Sequence, residues 1–238
     1  MYISGIFNYC DGWCERCTFT SKCSSYAIRL EEEKMDGTDE SRRLFWEAFD
    51  SIMEKTVECR SLEDENDDVS SPEMEDDFSE ELEDLMNERK DGSKSELFRQ
   101  AQSYADAARK WINVFESGDN LATDFTKQNT VSTPLSIKLA DAIEVVGWYA
   151  FFIAVKLARA KSTHRDEWKE VLVHSDENGS AKVALIALNR SIAAWSIIRS
   201  FCKEDEIADF LGQLIALRRV VEREFPRAWE FKRPGFDD

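Results

Sequence analysis

The chain has 238 residues, with 31 basic and 48 acidic side chains and a formal net charge of −17. That length allows one sizeable core, or a core with a small appendage. Four prolines and nine glycines are too few for a turn-rich all-β fold, so the composition predicts helices.

The charge is unevenly spread. Between Glu58 and Asp91 there are 16 acids and 3 bases, a net of −13, which leaves −4 for everything else. The acidity belongs to one segment, and the remainder is close to balanced. Wide duplex binding needs a basic surface that displaces counterions, so nucleic acid is not an expected partner.

The first thirty residues lack a basic n-region and an unbroken apolar h-region. The longest apolar run, Val145 to Val155, is eleven residues and is bracketed by Asp141, Glu144 and Lys156. A spanning helix needs about 20 residues, so the run predicts a buried core helix and no membrane partner. The expected compartment is cytoplasmic, where clustered cysteines are metal ligands or redox groups more often than disulfides.

In chain order, residues 1–30 form a cysteine-rich segment with little helical periodicity. Residues 31–60 contain a first amphipathic helix. Leu44, Phe45, Ala48, Phe49, Ile52, Met53 and Val57 form one stripe over 38–60, with Asp36 or Thr38 as the cap. Residues 61–94 read as an acidic, largely disordered linker, with a short acidic helix expected over 79–90. The main expectation for that stretch is a solvated spacer, and the sharper one is a docking segment for a basic protein partner.

Residues 95–238 predict a helical bundle. Ser95 caps a helix through Phe98, Ala101, Ala105, Ala108, Ile112 and Phe115, followed by Gly118. Thr133-Pro134 opens a second helix, running to about Arg159. A polar connection follows, with a short helix near Trp168. Gly179-Ser180 is expected to open a third long helix, through Val183, Ile186, Ala187, Ile192, Trp195 and Ile198. Asp205 caps a fourth, through Ile207, Phe210, Leu211, Leu214, Leu217 and Val221, ending near Pro226. The tail from Trp229 to Phe236 is expected to fold back on the bundle. The fold class is thus all-α: an antiparallel helical bundle with an N-terminal cysteine-rich metal-binding loop.

The segment CDGWCERCTFTSKC places Cys10, Cys14, Cys17 and Cys23 within fourteen residues, spaced C-x3-C-x2-C-x5-C. A short loop that also carries Asp11, Glu15, Arg16 and Lys22 cannot bury four thiols as core residues, so these four are the expected metal ligands. Zinc takes four thiolates tetrahedrally, commonly as two close pairs. Here Cys14 and Cys17 form one pair, and Cys10 and Cys23 stand alone. A [4Fe–4S] cluster also takes four thiolates, and its larger body tolerates unequal spacings. On the residues alone a [4Fe–4S] cluster and a zinc ion both stay open as the expected cofactor.

The C-x2-C-x5-C of Cys14, Cys17 and Cys23 resembles the end of the cluster loop in helix-hairpin-helix DNA glycosylases. Similar spacing with an aromatic inside it, here Phe19, resembles the loops of iron–sulfur nucleases of the recombination and CRISPR-adaptation type. The resemblance covers only residues 10–23 and implies a [4Fe–4S] cluster. The leading spacing departs from the glycosylases, with three residues between Cys10 and Cys14 where they have six. No helix-hairpin-helix glycine motif and no nuclease acid–lysine core is present, so the DNA chemistry is not implied. C-x3-C-x2-C also resembles the radical SAM triplet. That family needs an open iron, whereas Cys23 would close the fourth position, and Arg16 stands where an aromatic is usual.

Other candidates are weaker. His164 and His174 precede Glu167 and Glu177 by three residues, the reverse of the Glu-x-x-His order used by di-iron bundles, and read as surface residues. Glu144 and Arg190 sit among apolar residues of two bundle helices. They are read either as boundary residues with their heads in water or as a buried ion pair in a small-ligand pocket, with Asp106 and Asp141 nearby. There is no phosphate-binding glycine loop and no nucleophile elbow. Two classes of function follow. One is a structural or redox-sensing metal centre on an interaction protein. The other is an iron–sulfur enzyme with a pocket in the bundle.

Overall fold

A computed structural model describes residues 1–60, 95–117, 134–162 and 170–237. The expected acidic linker, the short helix over 79–90, Gly118, His164 and Trp168 lie outside these residues. The described chain is helical, with no strand among the described residues. It divides into two compact units, Met1–Asp76 with Lys232–Asp238, and Asp77–Phe231.

In the first unit, three 3-10 turns lead into α1 (Ser24–Glu32), which packs against α2 (Asp39–Arg60). Thr38 is the α2 cap: its Oγ1 accepts the Ser41 N–H at 3.1 Å. Asp36 supports that cap, its Oδ1 accepting from the Thr38 N–H at 3.0 Å and the Thr38 hydroxyl at 2.7 Å. These bonds favour the carboxylate and hold Asp36 down at about 2. The α2 stripe forms an aromatic run of Phe45, Trp46 and Phe49. Ile52 is buried, whereas Leu44 and Trp46 stay more than half exposed.

The second unit is a four-helix arrangement: α3 (Glu96–Ser117), α4 (Pro134–Ser162), α5 (Glu170–Phe201) and α6 (Asp205–Glu224). α4 packs on α3 and α5, α6 packs on α5, and α6 closes the ring against α3. The helical bundle expected from sequence is therefore what forms. Ser95 caps α3, its Oγ accepting the Phe98 N–H at 3.1 Å. Proline opens α4 as its missing N–H allows. All six apolar residues expected to line α6, from Ile207 to Val221, are buried.

The core is one aromatic and aliphatic layer. Trp195 is fully buried and donates its Nε1–H to the Tyr104 hydroxyl at 2.9 Å. Its ring lies 4.6 Å from Phe210 and 5.1 Å from Trp111. Burial pushes the Tyr104 hydroxyl far up, so it remains a neutral donor and acceptor.

Four expectations need correction here. Gly179-Ser180 does not open a helix: α5 begins at Glu170 and runs through that position. Gly179, Ser180 and Ala181 are all buried, and close packing of small side chains offsets the roughly 1 kcal/mol that an interior glycine costs a helix. His174 accordingly lies within a long helix and not in a connection. The cap of α6 is Glu204, one residue before Asp205, and its side chain does not cap. Its carboxylate instead accepts the Trp111 Nε1–H at 2.7 Å, a stronger pairing for a charged acceptor. The fourth is the tail, which does not act as one piece. Lys182 Nζ donates to the carbonyl of Phe231 at 2.5 Å, fastening the tail's first part to α5, while Lys232–Asp238 belongs to the first unit.

The run Val145–Val155 lies in α4 and is only half buried. Val146, Tyr149, Ala150, Ile153 and Ala154 face the core, while Trp148, Phe151 and Val155 are exposed. Among the described residues one stretch, Asp176–Phe201 of α5, is long and apolar enough by composition to cross a membrane. Its most apolar window is 61% buried, which suits the central helix of the bundle.

Candidate metal centre

Three 3-10 turns set the cysteines. Ile6–Tyr9 ends on Cys10, Cys14–Arg16 begins on Cys14 and ends on Cys17, and Thr20–Lys22 ends on Cys23. Each thiol thus stands at the end of a tight turn, where the chain changes direction. Cys23 is also the N-cap of α1. Gly12 takes φ +70° between Cys10 and Cys14, a conformation that side chains with Cβ disfavour. Asp11 Oδ1 accepts the Trp13 N–H at 3.2 Å and fixes the same turn. The Ile3 N–H donates to the Lys22 carbonyl at 2.9 Å, closing the segment on itself.

All four cysteines are free thiols, neither fully buried nor fully exposed. They line one small cavity together with Ile6, Trp13, Phe19, Tyr26 and Phe236. Trp13 and Ile6 are buried, and the Arg16 guanidinium covers the Trp13 ring at 4.0 Å from its centroid. Phe236 closes the other wall, edge-on to Phe19 at 5.0 Å. The Phe19 N–H points to Cys17 Sγ at 3.4 Å, and Cys10 Sγ donates to the Phe7 carbonyl at 3.4 Å.

Burial pushes the Cys14 thiol up. The Arg29 guanidinium pulls it down, and Cys10, Cys23 and Glu15 push it further up. Cys14, Cys10, Cys23 and Arg29 therefore share one electrostatic neighbourhood. Among the described residues, no three His, Cys, Asp or Glu side chains converge on a point that could hold a single metal ion. The thiols ring a space without meeting at one point.

The pocket that the four thiols share holds about 20 Å³ of room, enough for one water-sized body. Cys10, Cys14 and Cys23 also form the wall of an adjoining cleft of about 710 Å³. A four-iron body would need both the inner cavity, which Cys17 lines, and the cleft side of the other three thiols. In donor chemistry, four thiols on one loop, the residues suit such a group.

Gly235 positions Phe236 in this wall. It has φ +75°, and a Cβ there would lie 2.9 Å from Ile3 Cδ1 and 3.1 Å from Ile6 Cδ1. Gly235→Ala is therefore expected to destabilise the first unit by about 1–3 kcal/mol, combining backbone strain with overpacking. Chemical denaturation followed by hydrogen–deuterium exchange of the amides of residues 1–32 checks this.

The remaining pocket candidates lie at the surface. Glu144 and Arg190 are both exposed, so they are not a buried pair at the heart of a pocket. Two charges among apolar neighbours keep their heads in water when burial would cost more than pairing returns. Arg190 Nη1 donates to the Tyr149 hydroxyl, and its guanidinium lies 5.6 Å from that ring's centroid. Asp106 and Asp141 are likewise exposed. Sequence reasoning did not single out Arg29, Ser24, Ile6 or Phe236 as parts of the cysteine site. For the first two the available signal was helical spacing after Cys23. For Phe236 there was none, because it arrives from more than two hundred residues away.

No protein-family model, curated protein or solved structure matches the chain.

Proposed function

We propose that residues 1–32 and the C-terminal tail build an iron–sulfur centre ligated by Cys10, Cys14, Cys17 and Cys23, serving as a structural or redox-sensing element of a protein that binds other proteins. The observation that carries this reading is that all four thiols of one fourteen-residue loop border a single aromatic-walled cavity without converging on one point. A tetrahedral zinc ion needs its four sulfurs at about 2.3 Å from one centre. A cubane offers four separate iron corners and accepts unequal ligand spacings, such as those of this loop. When bound, the cluster would supply one-electron redox chemistry and a cross-link among the turns.

The chain's own residues give that centre its character. Trp13, Phe19 and Phe236 limit water at the inner side, and hydrogen bonding to a thiolate tunes the potential of a centre that it ligates. Here the Phe19 N–H is the donor, at Cys17. The acidic stretch between Glu58 and Asp91 supplies the charge for a basic protein partner. The cytoplasm, as a reducing compartment, is the setting in which four free thiols persist as ligands.

Anaerobic purification with metal analysis and a visible spectrum tests the reading. The expected outcome is about four irons per chain with broad sulfur-to-iron absorption, as four thiolates on a cubane imply. One zinc per chain with a featureless visible spectrum would replace the cluster by structural zinc. Protein free of metal under both aerobic and anaerobic preparation would remove the centre altogether.

A further inference from the structure

We infer that the cleft beside the cysteine centre binds a small molecule through an oxyanion group, a carboxylate or a phosphate, held by Arg29, Ser24 and the first turn of α1. The inference deepens the metal-centre reading, with which it shares the wall of Cys10, Cys14 and Cys23, but its donors are independent of the metal.

The cleft, at about 710 Å³, has the size of a small-molecule site. Its lining is polar on the α1 side, with Ser24, Ser25, Arg29 and Glu32 and Tyr26 beside them, and Asn8 joins from the first 3-10 turn. Three sets of donors there make no hydrogen bond. Ser24 is only 4% exposed, lines the cleft and makes no side-chain hydrogen bond. Its hydroxyl is therefore open to donate to an acceptor bound in the cleft. Arg29 donates no hydrogen bond either, and its Nε–H is buried without an acceptor. It forms long ion pairs with Glu33 at 3.7 Å and Glu15 at 3.9 Å and lies 5.0 Å from the Tyr26 ring centroid, contacts that use none of its N–H groups in a hydrogen bond. A guanidinium in that position keeps its planar fork for a two-point acceptor.

The third set is the start of α1. The first intrahelical bond runs from the Ala27 N–H to the Cys23 carbonyl at 3.1 Å, so the N–H groups of Ser24, Ser25 and Tyr26 come before it. Cys23 provides no side-chain cap, and the first turn carries no acidic residue. Unpaired N–H groups and the positive end of the helix dipole both favour an anion there. Glu32 on the same wall works against a highly charged polyanion. The ligand class is therefore a small molecule with one oxyanion end, lying against the centre.

Equilibrium dialysis at constant ionic strength tests this, using radiolabelled inorganic phosphate in one arm and radiolabelled acetate in the other. Each arm is run on the protein as purified and again after removal of metal by chelation. One saturable site per chain is expected in at least one arm. Phosphate binding alone assigns a phosphate-bearing ligand, and acetate binding alone assigns a carboxylate. Arg29→Gln is expected to weaken binding at least about tenfold and Ser24→Ala several-fold, while Arg43→Gln on α2 leaves it unchanged. Binding that survives in metal-free protein supports the cleft even where the metal centre fails. A metal-loaded protein that binds neither probe overturns the cleft and spares the centre. Binding unaltered by both Arg29→Gln and Ser24→Ala also overturns it.

Discussion

The Cys14→Ser, Cys17→Ser double variant is expected to lose its metal completely while the second unit keeps a cooperative thermal transition. Removing two of four thiolates leaves too few strong donors for either a cubane or a structural zinc ion. Metal binding supplies folding free energy to the segment that wraps it, so the three 3-10 turns should lose order in the variant. The second unit has its own continuous core, from Leu97 and Tyr104 through Ile153 and Leu188 to Val221. None of those residues comes from the cysteine loop. Its stability should therefore change by no more than about 0.5 kcal/mol, the usual scale for substitutions outside a core. Metal analysis of the variant and differential scanning calorimetry on the same sample read both halves of the expectation. A lowered melting temperature with the transition retained would mean that α2 couples the units through its partly exposed stripe. Loss of every cooperative transition would overturn separability and make the cysteine loop part of the main core.

Trp195→Ala should be the most damaging single substitution in the bundle, at about 3–5 kcal/mol. The indole is fully buried, packs edge-on to Trp111 and tilted against Phe210, and donates to the hydroxyl of Tyr104. Truncation opens a cavity among residues of α3, α5 and α6 and also strands that hydroxyl, whose loss of a partner adds its own desolvation cost. Tyr104→Phe separates the two contributions. It removes the hydrogen bond and keeps the ring, so it should cost only about 1 kcal/mol. For a unit of this size the tryptophan change corresponds to a fall in melting temperature of roughly 10 °C or more. Thermal unfolding followed by far-ultraviolet circular dichroism compares the variants. A loss below about 1 kcal/mol for Trp195→Ala would show that the aromatic layer does not join the helices into one cooperative core.

Much of this architecture was legible in the sequence because helices write their packing face into a local period. The stripe from Ile207 to Val221 named every buried residue of α6, and Ser95 and Pro134 marked the starts of α3 and α4 by local hydrogen-bond chemistry. Where a local signal competed with packing, packing prevailed. Gly179 looked like a helix boundary, yet α5 runs straight through it, with Gly179, Ser180 and Ala181 buried in the bundle. Glu204 became the cap of α6, in place of Asp205, while its carboxylate turned to the Trp111 indole, a partner 93 residues away.

The same division holds for the candidate site. The sequence by itself determined the four thiols, their spacing and the helical class of the fold, since each depends on residue type and local period alone. Only the tertiary structure decided that the thiols border one cavity, that Phe236 closes it, and that Ser24 and Arg29 face a cleft beside it. It also decided that Glu144 and Arg190 remain at the surface. The reason is that burial and juxtaposition are properties of distant segments meeting, and neither charge nor periodicity records which segment will arrive. Gly235 shows this most plainly. Its need for a positive φ and for space against Ile3 and Ile6 arises only once the two ends of the chain are together.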